Sequence, residues 1–275
     1  GTALEKRRGV KALGSSTLPP SVERLLKICP SWRKMSSTLF LSDIHFGTRR
    51  CNAKKLYQLL SNINPTKIIL VGDVLDIWLW EQNKISWDKW HTKVLEYFIE
   101  FLSKGNDVVY ICGNHDANFR KLIEGGFLKF ENFSLRRDYV HGTPDGYQYL
   151  VVHGDEHSQY SSGSWKQYFY NWGYDTITPL STFINRLTNG RVSLIRVLKA
   201  RAKKYLLRYK ENLSDYAALS WYDGVITGHI HNPEINMGVD GFVYINCGDW
   251  CDHFTGILET NGEFRMVRSE DFVER

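Results

Sequence analysis

The sequence has no run of about 18 consecutive apolar residues, so no segment is predicted to span a membrane as a helix. Its five cysteines form no C-x-x-C pair, which argues against a disulfide framework and favours reduced thiols in a cytosolic protein. The basic N-terminal residues are not followed by the apolar stretch of about 7–15 residues that a secretory signal requires. A chain of 275 residues, 43% hydrophobic and 24% charged, is instead typical of one large α/β domain or of a domain with an insertion.

Positive charge is concentrated in two segments of an otherwise acidic chain. Residues 1–38 carry eight Lys or Arg and two acidic residues, a local charge of +6. Residues 186–210 contain nine Lys or Arg and no acidic residue, although the whole chain has a net charge of only +5. The acidic body disfavours nucleic acid as a partner, and anion binding is expected at the basic segments.

Apolar runs that read as strands alternate with helical patterns through most of the chain. The predicted strands lie at residues 39–41, 67–71, 107–111, 147–152, 224–227 and 242–245, followed by a hairpin at 254–259 and 263–267. Helical patterns at 52–62 and 87–104 separate the first three strands, which predicts a parallel sheet covered by helices. Polar residues follow most of the strands, at the sheet edge where α/β proteins gather their binding groups.

The alternation is interrupted at about residues 156–220, which are predicted to be a helical insertion in a domain spanning residues 38–270. Apolar residues at helical spacing predict an amphipathic helix over 191–210: Ile195, Leu198, Ala202, Tyr205 and Tyr209. Residues 1–37, with their Gly, Ser and Pro, are predicted to be a basic and partly flexible N-terminal extension.

Each polar cluster has an ordinary structural explanation when taken alone. Asp43 and His45 could form a hydrogen-bonded pair at a strand end, and residues 114–116 could be a turn. The pair His229 and His231 is more specific, because alternate residues of an extended segment point the same way and can bind one ion.

Together, the clusters place carboxylate, imidazole and amide donors at one edge of the predicted sheet. A carboxylate that bridges two divalent cations holds them about 3.5–4 Å apart, which is the geometry of two-metal hydrolases. Mixed Asp, His and Asn donors suit Mn, Fe or Zn better than Mg or Ca, which prefer oxygen ligands alone. The sequence therefore predicts a dinuclear metal site.

Five motifs resemble the blocks of the calcineurin-like metallophosphoesterases: D-x-H (43–45), G-D-x-x-D (72–76), G-N-H-D (113–116), H-G-D (153–155) and G-H-x-H (228–231). The resemblance implies a four-layer α/β/β/α sandwich and a metal-dependent phosphoesterase. It also implies the metal ligands, which are Asp43, His45, Asp73 and His231 for one ion and Asp73, Asn114, His153 and His229 for the other. In the family the His of G-N-H-D acts near the leaving group and is held by the second Asp of G-D-x-x-D. These residues are His115 and Asp76 here.

Finer features separate the branches of this family. The chain lacks the Arg that follows the second Asp of G-D-x-x-D in the protein phosphatases, and Asp116 replaces their Glu. The segments 228–233 (G-H-I-H-N-P) and 246–250 (N-C-G-D-W) are similar to the UDP-2,3-diacylglucosamine pyrophosphatase group. That resemblance implies hydrolysis of a pyrophosphate bond in lipid A synthesis, with Mn, to give UMP and a lipid phosphate. One departure is His115, where described members carry Arg.

The insertion suits a lipid-linked, anionic substrate, because its basic residues can meet headgroups and its aromatic residues can shelter acyl chains. The candidate substrate-binding residues are Arg191, Arg196, Lys199 and Lys203. We expect a cytoplasmic enzyme, peripheral on the inner face of the membrane. The alternative for the insertion is that its basic surface is merely solvated. The alternatives for the whole protein are a phosphodiesterase or nuclease of broader specificity and a non-enzymatic scaffold, which the complete ligand set disfavours.

Overall fold

The computed structural model describes residues 37–125, 131–157 and 194–272. In these ranges the helices are α1 Ala53–Asn62, α2 Ile77–Glu81, α3 Lys89–Ser103, α4 Arg120–Gly125 and α5 Leu194–Leu219. The strands are β1 Ser37–Leu41, β2 Lys67–Val71, β3 Asp107–Ile111, β4 Phe133–Arg136, β5 Asp138–Gly142, β6 Gln148–Val152, β7 Gly224–Thr227, β8 Glu234–Met237, β9 Val243–Asn246, β10 Thr255–Thr260 and β11 Glu263–Arg268.

The strands form two sheets. The first has six strands in the order β11-β10-β1-β2-β3-β4, and β1 to β4 run parallel. The second has five strands in the order β5-β6-β7-β9-β8, with β6, β7 and β9 parallel. The carboxyl ends of the parallel strands in each sheet therefore lie at one edge, which is where the polar motifs of the sequence follow them.

Alternation along the buried strands builds three apolar layers. Phe40 faces the second sheet and packs in a cluster with residues such as Ile226, whereas Leu39 faces the helices and packs with Leu56 of α1. A third cluster joins the outer face of the second sheet to α5 through Tyr209 and other residues. Strands buried on both faces read as continuous apolar runs, which is why the sequence revealed them. The layers confirm the predicted α/β/β/α sandwich.

Helix α5 continues beyond the predicted boundary at residue 210 and ends at Leu219. Tyr209 is buried and Tyr205 half-buried, as their place in the predicted stripe requires, and the buried face continues through Leu213 and Ala217. Among the described residues, none of the helices is long and apolar enough to cross a membrane.

The predicted extension at residues 1–37 lies outside the described residues, except for its last position. The aromatic part of the insertion at 160–174 also lies outside them.

The hairpin of β10 and β11 is confirmed: Asn261 and Gly262 join the strands with φ of 53° and 91°, the left-handed pair that a type I′ turn needs.

Candidate metal centre

The seven predicted metal ligands share one structural position, which is the segment just after the carboxyl end of a parallel strand. They follow β1, β2, β3, β6 and β7, and each side chain is buried or half-buried: Asp43, His45, Asp73, Asn114, His153, His229 and His231. Both sheets thus contribute to one site at their common edge.

The backbone at these strand ends is unusual. Five of the seven residues have a φ between 49° and 68°, in the left-handed region: Asp43, His45, Asp73, His229 and His231. Residues other than glycine adopt this conformation at a cost, and such residues concentrate at functional sites. The sharp turns aim carboxylates and imidazoles inwards instead of letting the chain continue as a strand.

The first cluster consists of Asp43, His45 and His231. Asp43 Oδ1 lies 3.1 Å from His231 Nε2, and His45 Nε2 lies 3.4 Å from the same nitrogen. The other carboxylate oxygen of Asp43 accepts a hydrogen bond from the backbone N–H of His229 at 2.9 Å and lies 2.5 Å from Ser42 Oγ. Protein donors therefore hold Oδ2, which leaves Oδ1 facing the two imidazoles.

The second cluster consists of Asp73, His153 and His229. His153 Nε2 lies 3.3 Å from Asp73 Oδ2, and the rings of His153 and His229 meet edge to face with centroids 5.2 Å apart. His153 Nδ1 lies 2.8 Å from the carbonyl oxygen of Val71, to which it donates. That bond fixes the tautomer in which Nε2 offers a lone pair to the cluster.

Four buried side-chain atoms that could each ligate a metal make no hydrogen bond: Asp43 Oδ1, Asn114 Oδ1, His153 Nε2 and His229 Nδ1. An unsatisfied buried polar atom costs about 1–3 kcal/mol, so four around one site need a compensating ligand. Carboxylate, amide and imidazole donors suit transition-metal dications. The residues present therefore fit the divalent metals that the sequence predicted.

His115 and Asp76 form a dyad at the mouth of the site. His115 Nδ1 lies 3.0 Å from Asp76 Oδ2, and the backbone N–H of His115 donates to Asp73 Oδ1 at 2.8 Å. The rings of His115 and His45 meet edge to face with centroids 4.7 Å apart, and 17% of the His115 side chain is exposed to solvent. Asp76 therefore orients this imidazole, and its second nitrogen, Nε2, lies beside the clusters at 3.9 Å from Asp73 Oδ2.

Opposing charges set the protonation of the site. Burial alone would lower the pKa of His115, but Asp73 and the hydrogen-bonded Asp76 outweigh it and raise this pKa to about 9. Burial would raise the pKa of Asp43, yet His231 lowers it to about 2. Burial is the main cause that lowers the pKa of His229 to about 4, so His229 is neutral and able to ligate near pH 7.

Asp116 forms hydrogen bonds to the loop that follows β2 and to the loop that follows β3. Its carboxylate accepts hydrogen bonds from the backbone N–H of Gly113 at 2.5 Å and of Val74 at 2.9 Å, and from the Tyr110 hydroxyl at 2.6 Å. Gly113 must be glycine, because a Cβ there would collide with the backbone nitrogen and carboxylate of Asp73. The motif residues 113 and 116 thus position Asp73.

We expect Asp116→Asn to lower the free energy of unfolding by about 1–3 kcal/mol, since the amide group turns an NH₂ towards a buried donor that needs an acceptor. Denaturant unfolding followed by fluorescence measures this change. The matched control is Asp138→Asn, an exposed strand residue, which should stay within about 0.5 kcal/mol of the parent. Equal midpoints for the two variants would show that the three bonds to Asp116 contribute nothing.

Sequence reasoning assigned no role to two further groups in the motifs. Asp249 accepts from the backbone N–H groups of Cys251 and Asp252, holds His253 Nδ1 at 2.6 Å, and lies 3.9 Å from His231 Nδ1. Asp155 of the H-G-D motif is buried and accepts from Arg120, with both oxygens within 3.0 Å of one guanidinium nitrogen. The only signal for either was its place inside a motif, because the contacts of Asp249 with His231 and of Asp155 with Arg120 join residues that are distant in sequence.

The candidate substrate-binding residues are not gathered at the clusters by any described contact. Arg191 lies outside the described residues, and Arg196 and Lys199 belong to α5 but their side chains are not described. Lys203 is exposed on α5, as are Lys204 and Arg208.

Two sheets with helices on both sides, and Asp, His and Asn donors at their common edge, define a metal-dependent phosphoester hydrolase. The sequence profile described as calcineurin-like phosphoesterase matches residues 36–233. The chain belongs to the calcineurin-like phosphoesterase family, whose members depend on a dinuclear metal centre.

Three of the solved structures that this chain is similar to are the following. An archaeal phosphodiesterase is 18% identical, with 84% of this chain and 98% of that chain covered and a TM-score of 0.40. The phosphoesterase YfcE from E. coli is 13% identical, with 86% and 95% covered and a TM-score of 0.44. A dimetal phosphatase from Danio rerio is 11% identical, with 86% and 99% covered and a TM-score of 0.40. A search of curated proteins found no match.

Proposed function

We propose that this protein hydrolyses the pyrophosphate bond of a nucleotide-linked lipid, UDP-2,3-diacylglucosamine or a close relative, to give UMP and a lipid phosphate. The observation that carries the chemistry is the pair of buried clusters, with four orphaned donor atoms, beside the His115–Asp76 dyad. The substrate class is supported by the motif segments 228–233 and 246–250 and by the basic helix α5.

Two divalent ions would be held by the two clusters. Asp43, His45 and His231 would hold one, and His153, His229 and Asn114 would hold the other. Asp73 would be shared between them, as the resemblance implies. The donor set of imidazole and oxygen suits Mn, Fe or Zn, and Mn is the proposed metal because of the resemblance to the UDP-2,3-diacylglucosamine pyrophosphatase group.

When bound, the ions supply Lewis acidity that lowers the pKa of water and offsets charge on the phosphoryl oxygens. The chain's own residues supply the proton and the orientation. His115, oriented through Nδ1 by Asp76, presents Nε2 and can donate a proton to the leaving oxygen. The hydrogen bond from Nδ1 to Asp76 favours the protonated form of His115 that a general acid needs.

A pyrophosphate substrate is favoured over a phosphoprotein. Ile77 follows Asp76 at the position where the protein phosphatases of the family carry Arg, and Asp116 stands in place of their Glu. His115 occupies the position at which described members of the lipid A group carry Arg, so a test of the substrate must include relatives of the proposed lipid.

The substrate class is tested by measuring kcat/KM with Mn²⁺ on UDP-2,3-diacylglucosamine, UDP-sugars, oligonucleotides and bis(4-nitrophenyl) phosphate. We expect the lipid-linked diphosphate to exceed the small diester by at least about 10²-fold, because binding energy from remote substrate groups raises kcat/KM. Faster turnover of oligonucleotides would instead identify a nuclease. No hydrolysis of any diester would identify a scaffold.

We further propose that α5 brings the enzyme to the cytoplasmic face of an anionic membrane. Tyr209 and Leu213 anchor the helix on the second sheet, while Lys203, Lys204 and Arg208 are exposed. Each basic residue near an anionic surface contributes about 1 kcal/mol, and salt screens that attraction.

Changing Lys203, Lys204 and Arg208 to Glu should weaken binding to vesicles containing anionic lipid by at least about 10²-fold at low salt. Hydrolysis of bis(4-nitrophenyl) phosphate should change little. The matched control reverses three exposed lysines elsewhere, Lys54, Lys89 and Lys121, and should bind as the parent does. Vesicle sedimentation measures both, and equal binding by the α5 variant and the parent would end the membrane proposal.

A further inference from the structure

Two cysteines, Cys51 and Cys251, lie on neighbouring loops, and the proposed function uses neither. Cys51 precedes α1, and Cys251 lies in the turn between β9 and β10. Their chain neighbours are in direct contact on both sides. The backbone N–H of Asn52 donates to the carbonyl oxygen of Trp250 at 2.9 Å, and Arg50 forms an ion pair with Asp252 at 2.6 Å.

The electrostatics of the thiols agree with this proximity. Burial, the carboxylate of Asp249 and the neighbouring Cys51 together raise the pKa of the Cys251 thiol well above its usual range. One thiol can influence another in this way only across a short distance. Both cysteines are half-buried, whereas Cys112 and Cys247 are buried, so within the described residues this pair is the more accessible to a small oxidant.

We propose that Cys51 and Cys251 are a modification site that forms a reversible intramolecular disulfide with a low-molecular-weight disulfide, such as oxidised glutathione, as oxidant. The thiolate of one cysteine attacks the oxidant, forms a mixed disulfide and releases one glutathione thiol. The second cysteine then attacks its partner's sulfur in the mixed disulfide and releases the other glutathione. The protein loses two electrons and two protons, and oxidised glutathione gains both.

The crosslink would fasten a segment that supports the first cluster. Trp250, next to Cys251, donates its backbone N–H to the carbonyl oxygen of Asp43 at 3.1 Å. Residues 51 and 251 are also far apart in sequence, so the disulfide closes a long loop in the unfolded chain. Closing a long loop destabilises the unfolded state, and the oxidised protein should melt at a higher temperature than the reduced one.

The raised thiol pKa values make this oxidation slow near neutral pH. Burial and the nearby Asp88 raise the pKa of Cys51 to about 12, so neither cysteine is more than a trace thiolate at pH 7. Because only the thiolate attacks, the rate should rise about tenfold for each unit of pH between 7 and 9. This places the site among slowly formed, stabilising disulfides and not among fast redox sensors.

The test treats the full chain with oxidised glutathione at about pH 8.5, blocks remaining thiols with N-ethylmaleimide, and identifies the peptides by mass spectrometry. We expect a peptide that joins Cys51 to Cys251, a melting temperature higher by at least about 5 °C, and reversal of both by dithiothreitol. Recovery of Cys51 and Cys251 as separate alkylated or glutathionylated peptides, or joined to other cysteines, would overturn the proposal.

Two variants separate pairing from general thiol reactivity. Cys51→Ser should stop at a single glutathione adduct on Cys251 and gain no thermal stability. The matched control Cys29→Ser, which changes a cysteine outside the described residues, should form the crosslink as the parent does. If Cys51→Ser gains the same thermal stability on oxidation as the parent does, the stabilisation has another origin and the proposed pairing is wrong. These readouts need no catalysis, so they do not depend on the proposed function.

Discussion

Asp73→Ala should lose both metal ions and all hydrolysis of bis(4-nitrophenyl) phosphate above the uncatalysed rate. Asp73 Oδ2 faces His153 of the second cluster, and Asp73 Oδ1 accepts from the backbone N–H of His115, which lies against the first cluster. Removing this carboxylate takes away the negative charge that would offset the repulsion between two dications. Elemental analysis of the purified variant, alongside the diester assay, measures both losses.

Asp138→Ala is the matched control, because it removes an exposed carboxylate from the second sheet and should keep two ions and full activity. The bridging role would be contradicted if Asp73→Ala still held two metal ions at full occupancy. Partial loss of one ion alone would mean that Asp73 belongs to a single ligand set.

His115→Ala should retain its metal and lower kcat by about 10²–10⁴-fold, the usual effect of removing a positioned proton donor. The structure places this imidazole beside both clusters, with Nδ1 at 3.0 Å from Asp76 Oδ2 and Nε2 at 3.9 Å from Asp73 Oδ2. Asp76→Asn should show a smaller loss in the same direction, because it weakens the orientation of the imidazole and leaves the ring in place. Steady-state kinetics with Mn²⁺ and elemental analysis measure both variants.

His157→Ala is the control for loss of an imidazole, since that ring packs against Tyr216 at 4.4 Å outside the clusters. Its kcat should remain close to that of the parent. If His115→Ala lost activity together with its metal, His115 would be a ligand. The distances admit that reading, because His45, Asp76 and His115 also form a group able to hold an ion.

Much of the fold could be predicted because the central strands are buried on both faces. The apolar runs at β2 and β3 can be recognised as strands from the sequence alone. The polar residues that follow them indicate the edge of the sheet at which the site lies. Strands β4, β5 and β8 were not predicted. They are four or five residues long and lie at sheet edges, and at most one residue of each is fully buried, so little apolar patterning distinguishes them from loops.

The sequence predicts which residues follow the strand ends at the candidate site, but not how the chain holds them. Nothing in the local pattern indicates that Asp43 and His45 adopt left-handed backbone conformations. The bonds of Asp116 to Val74 and of Arg120 to Asp155 join motifs more than 30 residues apart, so only the fold reveals them. The proposed substrate is harder still, because the proposal draws on the insertion, most of which lies outside the described residues.

The most direct test of a dinuclear hydrolase is a titration of the metal-free protein with Mn²⁺ during hydrolysis of bis(4-nitrophenyl) phosphate. Two clusters with a shared carboxylate predict no activity in the presence of a chelator and a plateau at two equivalents of metal per chain. Full activity at one equivalent, or hydrolysis without any metal, would contradict the dinuclear site.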